Sequence, residues 1–277
     1  MIKAMMITNR SSVFGSLLMI SMTLGVKAQA STLASHQAIY ELDLKSATSA
    51  AEINSVDGKT HYVIKKVCDG WASSENYAIS FGFEEGQPAN FISHYKTWES
   101  DENSSFTFEI VENSNATGEA VFEGFANNQD GKIEAFHSEG DGSMRPLPDD
   151  TVFPMQHMIG LLEDGKVSAP VIRQSHLFFG GEATDSLYFI SAVMGKKKSS
   201  RLKDDMADTM GVLGEDEYWP LSIAYYKPDA KDAEPEYSIA FKLQPNGVIR
   251  GYVVDYGTFT MEASLKTLEP IQPETCD

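Results

Sequence analysis

The sequence predicts an all-β protein built mainly of antiparallel strands, with one short helix that caps or plugs the sheet. Three observations support this fold class. Polar and apolar residues alternate along many short segments after residue 30, turn residues separate those segments, and one segment alone places apolar residues at helical spacing. With 277 residues, of which 42% are hydrophobic and 22% are charged, the chain can bury a substantial core.

The first thirty residues have the pattern of a secretory signal peptide. Lys3 and Arg10 precede an uncharged, mostly apolar run over residues 13–26, and Ala28–Ala30 supplies small residues at the processing positions. A membrane anchor or a buried helix is the alternative, but the run is shorter than the ~20 residues that a spanning helix needs. We therefore expect cleavage after residue 30 and export from the cytoplasm.

Loss of this leader makes the mature chain strongly acidic. The full chain has a formal net charge of −18, and the leader removes Lys3, Arg10 and Lys27 but no acidic residue, which leaves −21. Such a charge repels nucleic-acid phosphates, so nucleic-acid binding is excluded. A basic island from Lys196 to Lys203 is better explained as a solvated loop than as a docking site. Residues 31–277 contain no linker or repeat and predict a single β-rich domain.

Each predicted strand follows from period-two alternation. Residues 38–44, for example, place Ala, Tyr, Leu and Leu on one face and Glu and Asp on the other, as a half-buried strand does. The dipeptides Asp57-Gly58, Asp130-Gly131 and Asn246-Gly247 predict type I′ hairpin turns, and short turns make neighbouring strands pair as a meander. The strands predicted in this way span residues 38–44, 59–67, 77–83, 91–98, 106–112, 120–125, 133–137, 175–179, 186–193, 218–226, 237–243, 248–254 and 259–268.

The predicted helix begins at Pro154 and stops at Gly165. Its apolar residues fall at i, i+3, i+4 and i+7, namely Met155, Met158, Ile159 and Leu162. We expect this helix to cover one mouth of the sheet. His157 lies on the flank of the apolar stripe, where a hydrogen-bonded structural histidine is a better interpretation than a catalytic one. The polar segment from Gly195 to Glu217 predicts a mobile excursion.

The mature chain contains two cysteines, Cys68 and Cys276, which can form only one intramolecular pair. A disulfide is the favoured interpretation in an oxidising compartment, and two buried free thiols are the alternative.

No motif in the sequence indicates catalysis. Two histidines four residues apart around a glutamate, a G-x-S-x-G elbow and the glycine-rich nucleotide loops are all absent. Neighbouring acidic residues such as Glu84 and Glu85 would point to opposite faces of a strand. We therefore predict no catalytic residue, no metal ligand and no cofactor. The 29 aromatic residues most simply fill a β core, although a concave aromatic surface could hold a lipid or a glycan.

Several segments, taken in order and spacing, resemble the EipB-type cell envelope integrity proteins of alphaproteobacteria. The resemblance spans nearly the whole mature chain. It rests on His36, Ala38, Tyr40 and Leu42, on Cys68-Asp69-Gly70-Trp71, on the run Leu147 to His157 with Phe153 and Pro154, on Pro235-Glu236-Tyr237 with Phe241 and Leu243, on Asn246-Gly247-Val248, on Asp255-Tyr256-Gly257-Thr258-Phe259, and on Cys276.

The resemblance implies a periplasmic protein whose strands wind into a spiral, barrel-like sheet, with Cys68 joined to Cys276. It implies no catalytic activity and no cofactor. The family-motif residues are expected to be structural: His36, Tyr40, Trp71, Phe153, Pro154, His157, Asn246, Gly247, Asp255 and Tyr256.

Three functional hypotheses follow. The leading one, implied by the resemblance, is a non-enzymatic periplasmic protein that supports cell envelope integrity under stress by binding another envelope component, such as a helical-repeat protein. The alternative is a periplasmic carrier that holds a lipophilic ligand in a β cavity. A third hypothesis is an enzyme that acts on glycan or peptide wall material through a pair of carboxylates.

Overall fold

The computed structural model describes residues 33–167, 169–202, 204–228 and 234–276. The predicted signal peptide, its cleavage site and Lys203 lie outside the described residues. In the described part of the chain, no helix is long and apolar enough to cross a membrane.

Sixteen strands form one sheet, and its order follows the chain closely. The strands are β1 (His36–Ala47), β2 (Ile53–Val67), β3 (Gly70–Phe83), β4 (Ala89–Ser100), β5 (Ser105–Ser114), β6 (Gly118–Gln129), β7 (Lys132–His137), β8 (Arg145–Pro146), β9 (Thr151–Val152), β10 (Val171–Phe178), β11 (Leu187–Met194), β12 (Lys198–Ser199), β13 (Glu217–Tyr226), β14 (Tyr237–Leu243), β15 (Ile249–Asp255) and β16 (Phe259–Pro270). Two helices accompany them, α1 (Pro154–Val167) and α2 (Asp204–Met210), and a 3-10 turn follows α2 at Gly211–Leu213.

The sheet has the order β8-β7-β6-β5-β4-β3-β2-β1-β16-β15-β14-β13-β11-β10-β9, with β12 paired to β13. Strand β1 pairs with both β2 and β16, so the N-terminal and C-terminal strands meet at the middle of the sheet. All pairs are antiparallel except β9 with β10. The prediction of a mainly antiparallel all-β fold is confirmed.

The sheet curls on itself without closing. Phe106 on β5 and Phe178 on β10 are ten positions apart in the sheet order, yet their rings lie 5.8 Å apart in an edge-to-face contact. The Tyr95 hydroxyl donates to the Phe179 carbonyl, and His137 and Ser186 hydrogen-bond at 3.2 Å between Nε2 and Oγ. These contacts hold the end of the sheet at β10 against the inner face of β4 to β7.

Two of the three predicted hairpin turns differ from the sequence prediction. Asp57 and Gly58 lie inside β2 rather than in a turn, because Gly58 sits where a Cβ would meet the Ala78 carbonyl oxygen at 2.8 Å. The loop at Asn246 and Gly247 has three residues rather than two, and only Gly247 has a positive φ, of 83°. A type I turn followed by a glycine bulge closes that hairpin. Asp130-Gly131, with φ of 54° and 81°, is confirmed as a positive-φ turn.

The segment from Gly195 to Glu217 also differs from the predicted loop. It contains β12, α2 and the 3-10 turn, and Met210 at the end of α2 is buried against strands β1, β15 and β16. Most residues of this segment are polar, which is why the sequence predicts a loop. The few apolar residues that pack it against the sheet do not form a recognisable pattern. Helix α1 likewise continues past Gly165 to Val167.

Candidate functional site

The inner face of the curled sheet carries two adjacent rows of polar and aromatic side chains. In one row, Tyr62, Glu75 and Tyr95 are direct cross-strand neighbours on β2, β3 and β4. Thr60 and Tyr77 form the next row. Because alternate residues of a strand point to the same face, both rows face the interior.

Tyrosines of the C-terminal strands face these rows from the other side of the curl. Tyr225 on β13 stacks on Tyr237 on β14, with ring centroids 4.4 Å apart and planes 13° from parallel. Tyr252 on β15 lies 5.4 Å from Tyr40 on β1, between centroids. The Tyr40 hydroxyl donates to the Ile249 carbonyl at 2.8 Å. Tyrosine rings therefore approach the interior from both halves of the sheet.

These side chains lie deep in the molecule but are not fully covered. Burial is the largest cause of the raised pKa of Tyr62, Tyr77, Tyr95 and Tyr225, yet each of the four keeps part of its surface accessible. Their accessible surface lies on the inner face of the sheet, within the curl. We therefore describe these residues, with Glu75, Tyr237 and Tyr252, as the lining of a chamber, here called the tyrosine chamber.

Glu75 is the acidic group of the tyrosine chamber. Burial raises the pKa of its carboxyl, and hydrogen bonding from the Tyr77 and Thr60 hydroxyls opposes that shift. The distance from Thr60 Oγ1 to Glu75 Oε1 is 3.4 Å. The charge of Glu75 contributes, after burial, to the raised pKa of six tyrosines, which places their hydroxyls within its electrostatic reach. The six are Tyr40, Tyr62, Tyr77, Tyr95, Tyr225 and Tyr252.

Helix α1 covers one end of the chamber. Leu161 and Leu162 are wholly buried in a cluster with Trp71, Trp219 and Leu243, which lie at the ends of β3, β13 and β14 nearest the helix. The prediction of a helix that covers one mouth of the sheet agrees with this arrangement. The predicted apolar stripe omitted Leu161, which lies beside it.

A carboxylate from the sheet caps the helix. The Glu99 oxygens on β4 accept hydrogen bonds from the backbone N–H of Met155 and Gln156, at 2.8 and 2.7 Å. A negative charge is favourable at a helix N-terminus, whose first N–H groups have no partner within the helix. Burial nevertheless raises the pKa of Glu99 to about 7, and the two backbone hydrogen bonds oppose the shift. Sequence reasoning missed Glu99, since the cap lies 56 residues from the helix.

The opposite end of the chamber carries Tyr256. This residue is exposed, stacks on Phe259 with centroids 4.8 Å apart, and lies 6.0 Å from Tyr237. Asp255 forms the turn that presents it, because its Oδ1 accepts a hydrogen bond from the Gly257 N–H at 2.8 Å. A continuous series of aromatic rings therefore connects the surface to Tyr225 inside the chamber.

Other family-motif residues occupy structural positions. His36 is buried and contacts the Ala34 carbonyl at 2.6 Å through Nδ1. Phe153 is fully buried and stacks on Phe106 at 5.2 Å, and Pro154 begins α1. Trp71 lies in the cluster beneath α1.

The Asn246-Gly247 turn joins the hairpin to the 3-10 turn. The Asn246 side-chain amide donates to the Leu213 carbonyl at 2.9 Å. A side chain at Gly247 would meet Leu33. The neighbouring Gln244, fully buried and hydrogen-bonded to the Leu213 carbonyl and the Glu215 N–H, was not among the predicted residues.

His157 differs from expectation in one respect. It is buried, as a structural histidine should be, but neither ring nitrogen has a hydrogen-bond partner among the described residues. Burial and, to a lesser extent, the charge of Arg173 lower its pKa to about 4. The ring is therefore neutral near pH 7.

Cys68 and Cys276 form a disulfide with a Cα–Cα distance of 5.5 Å. Both residues are exposed. The bond joins the tight turn between β2 and β3 to the tail that follows β16, close to the α1 end of the sheet.

The predicted basic island is partly paired. Lys197 lies 3.1 Å from a Glu217 oxygen, and its ammonium lies 4.7 Å from the centroid of the Trp219 ring. Within the described ranges, no three His, Cys, Asp or Glu side chains are placed to hold a metal ion.

A curled antiparallel sheet with a helical plug and an internal chamber defines a barrel-like protein of the β-spiral kind. The EipB-like family model matches residues 27–272, and the chain belongs to that family. It is 31% identical over 247 residues to the cell envelope integrity protein EipB of Brucella abortus (strain 2308), covering 87% of this chain and 86% of that protein. The family resemblance is therefore confirmed.

A solved structure supports the same assignment of the fold. The crystal structure of a β-barrel-like protein from Brucella abortus, described as a domain of unknown function, superimposes with a TM-score of 0.80 at 27% identity. The match covers 87% of this chain and 99% of that one.

Proposed function

We propose that this protein acts in the periplasm to maintain the cell envelope, by binding another envelope component rather than by catalysis. The observation that carries the proposal is the similarity to a cell envelope integrity protein over 87% of the chain. Because the similarity covers 86% of that relative as well, the two chains share their whole architecture rather than one module.

A periplasmic location is supported by the leader and by the disulfide. The Ala28–Ala30 processing pattern is specific to exported chains. Both sulfurs of the Cys68–Cys276 bond are at the surface, where a reducing cytoplasm would keep them as thiols.

A binding role is supported by the tyrosine chamber. An enclosed space with aromatic walls and few polar groups is the usual form of a ligand site. The sequence contains no catalytic motif that would use the same space for a reaction.

Deletion of the gene tests the proposal. The deleted strain should become sensitive to detergent and to antibiotics that target the cell wall, and the full-length gene should restore resistance. A gene that lacks codons 2–30 serves as the matched control, because it makes the same mature sequence in the cytoplasm. Unchanged sensitivity of the deleted strain, or rescue by the leaderless gene, would refute a periplasmic role in envelope integrity.

A carrier for a lipophilic ligand is the second candidate. The observation that favours it is the apolar cluster beneath α1, against which the chamber residues Tyr62, Tyr225 and Tyr252 pack. Native mass spectrometry of protein extracted from the periplasm without detergent should then show bound lipid. Protein that is uniformly ligand-free after such extraction would exclude a stable carrier.

A protein partner remains part of the proposal. The family resemblance suggests a periplasmic envelope protein such as one built from helical repeats. Chemical cross-linking in intact cells, followed by mass spectrometry, should recover that partner, and recovery of abundant periplasmic proteins alone would count against a specific partner.

A further inference from the structure

We propose that the tyrosine chamber binds a positively charged ammonium group, held between the Glu75 carboxylate and the surrounding tyrosine rings. This inference rests on the proposed binding role and names the chemical class of the ligand. The class includes primary amines and quaternary ammonium groups carried on a lipid, a polyamine or a modified glycan.

The first argument is the number of aromatic rings around one carboxyl. Tyr62 and Tyr95 flank Glu75 directly across β2 and β4, and Tyr77 lies two residues away on the same face of β3. Tyr225 and Tyr252 approach from β13 and β15 and are close enough for the Glu75 charge to raise their pKa values after burial. Ring faces carry negative electrostatic potential, so a set of rings around one point attracts a cation.

The second argument is that Glu75 has no cationic partner among the described residues. Its recorded contacts are with hydroxyl groups, from Thr60 and Tyr77. Four cationic side chains that are partly buried pair elsewhere: Lys66 with Asp101, Arg173 with Asp164, Lys197 with Glu217, and Lys227 with Asp185 and Glu236. Glu75 therefore lies deep among aromatic rings without a cation from the described ranges to pair with its charge.

The proton balance of binding follows from this arrangement. Burial favours the neutral acid in the empty chamber, while a bound ammonium ion requires the carboxylate. Binding of the cation therefore favours the carboxylate form and opposes the rise in the pKa of Glu75. The titratable groups that face Glu75 are tyrosines with raised pKa values, and Glu112, on β5, lies one row away opposite Ser93. The raised pKa values keep these tyrosines neutral near pH 7.

The same chemistry disfavours two other ligand classes. An anionic head group would meet a carboxyl and the negative faces of the rings. A neutral sugar could stack on the rings and donate hydroxyl hydrogen bonds to the carboxylate, but it brings no positive charge to either. An ammonium ion brings a positive charge that both the ring faces and the carboxylate attract.

Three amphiphiles with one tail and different heads provide the test. Decyltrimethylammonium, decyl maltoside and decanoate, each below its critical micelle concentration, are titrated into the mature protein by calorimetry at pH 7. We expect the ammonium compound to bind at least tenfold more tightly than the other two. Ammonium binding should also tighten as the pH rises, because it requires the carboxylate form of Glu75.

Two pairs of variants locate the site. Glu75→Gln should weaken ammonium binding at least tenfold and remove the pH dependence of that binding. Glu123→Gln, which removes one charge from the outer face of β6, should change neither, and so controls for the general acidity of the protein. Tyr225→Phe should retain binding and Tyr225→Leu should weaken it, since only the first keeps the ring. Near-ultraviolet circular dichroism establishes that each variant is folded.

Equal affinity for the three head groups, or equal binding by Glu75→Gln and the parent protein, would overturn the ammonium assignment. Such a result would leave the envelope role intact, because the latter is judged by the sensitivity of the deleted strain. Loss of resistance in a strain that carries Glu75→Gln would add that the ammonium ligand is needed in the cell.

Discussion

At the scale of single residues, two buried titratable groups lie at the start of α1 and have opposite pH dependence. Glu99 caps the helix with a pKa raised to about 7, and His157 lies in the first turn with a pKa lowered to about 4. Burial is the main cause of both shifts, because it disfavours the charged form of either group. The pH dependence of stability should therefore separate into two contributions that oppose one another.

Replacement of Glu99 by glutamine should reveal the histidine contribution. Burial raises the Glu99 pKa from 4.5 in the unfolded chain, so the folded state binds this proton more tightly. The stabilisation is fully present below pH 4.5 and is lost as the pH rises through about 7, by about 3 kcal/mol in all. In Glu99→Gln, the free energy of unfolding should no longer decrease by this amount as the pH rises from 4.5 to about 7. Urea unfolding at several pH values from 4 to 8 measures it, and an unchanged pH profile would contradict the shift.

Replacement of His157 by leucine should have the opposite effect on the profile. The folded protein disfavours the charged imidazole, so its contribution is fully present above pH 6.5 and is lost as the pH falls through about 4. The loss is also about 3 kcal/mol. His157→Leu should therefore lose less stability at acidic pH than the parent, measured by the same urea series. A steeper acid loss in the variant would show that the histidine is charged when folded.

Residue-level chemistry was the least predictable part of the molecule. Tyr40 and His157 belong to segments whose pattern predicts an element and a face. Glu75 sits in a stretch of small and polar residues, Ser73 to Asn76, that has no apolar alternation, and its neighbours in space come from five other strands. Only the curl of the sheet brings them together, so no local signal could have identified the chamber.

At the scale of elements, the packing of α1 depends on a glycine in the last turn of the helix. A Cβ at Gly165 would lie 3.1 Å from the Trp219 ring and 2.7 Å from Met194 Sδ, and both of those side chains are fully buried. Gly160, on the same helix, faces the guanidinium of Arg173 instead, which is half-exposed and flexible. Gly165 therefore allows the helix to pack closely on the core, whereas Gly160 has no such role.

The two glycines should therefore respond differently to the same substitution. An alanine in a helix interior is favoured over glycine by about 1 kcal/mol. Gly160→Ala should gain part of that amount, because Arg173 can move. Gly165→Ala should instead lower the free energy of unfolding by about 1 to 2 kcal/mol, since overpacking a rigid core costs more than the propensity gain. Thermal and urea unfolding compare the pair, and equal effects would show that the helix does not pack closely on Trp219.

The turns show why element types were easier to predict than their details. Asp130-Gly131 is a turn as its residues indicate, whereas Asp57-Gly58 has the same letters but lies inside β2. There the close approach of β3 leaves no room for a side chain, so a glycine is required. This tertiary contact overrides the preference of the dipeptide for a turn. At Asn246-Gly247 the hairpin is real, but Pro245 extends the loop by one residue. Alternation predicts strands, and tertiary packing decides their ends.

At the scale of the whole molecule, the chain order of the strands was predictable and the curl was not. Short turns make neighbours pair, which accounts for β2 to β8 and for most of β10 to β16. The pairing of β1 with β16 joins residues more than 200 positions apart and leaves no mark in the sequence. The spiral form was predicted only through the family resemblance.

The disulfide constrains the molecule over a similarly long stretch of chain. Cys68 and Cys276 are 208 residues apart, and the chain-entropy model assigns about 5 kcal/mol to so long a loop. Cys68→Ser and Cys276→Ser should each lower the free energy of unfolding by up to that amount, and the double variant should be no less stable than either single one. Reduction of the parent should match the variants. A double variant much less stable than both singles would mean that the sulfurs stabilise the fold separately.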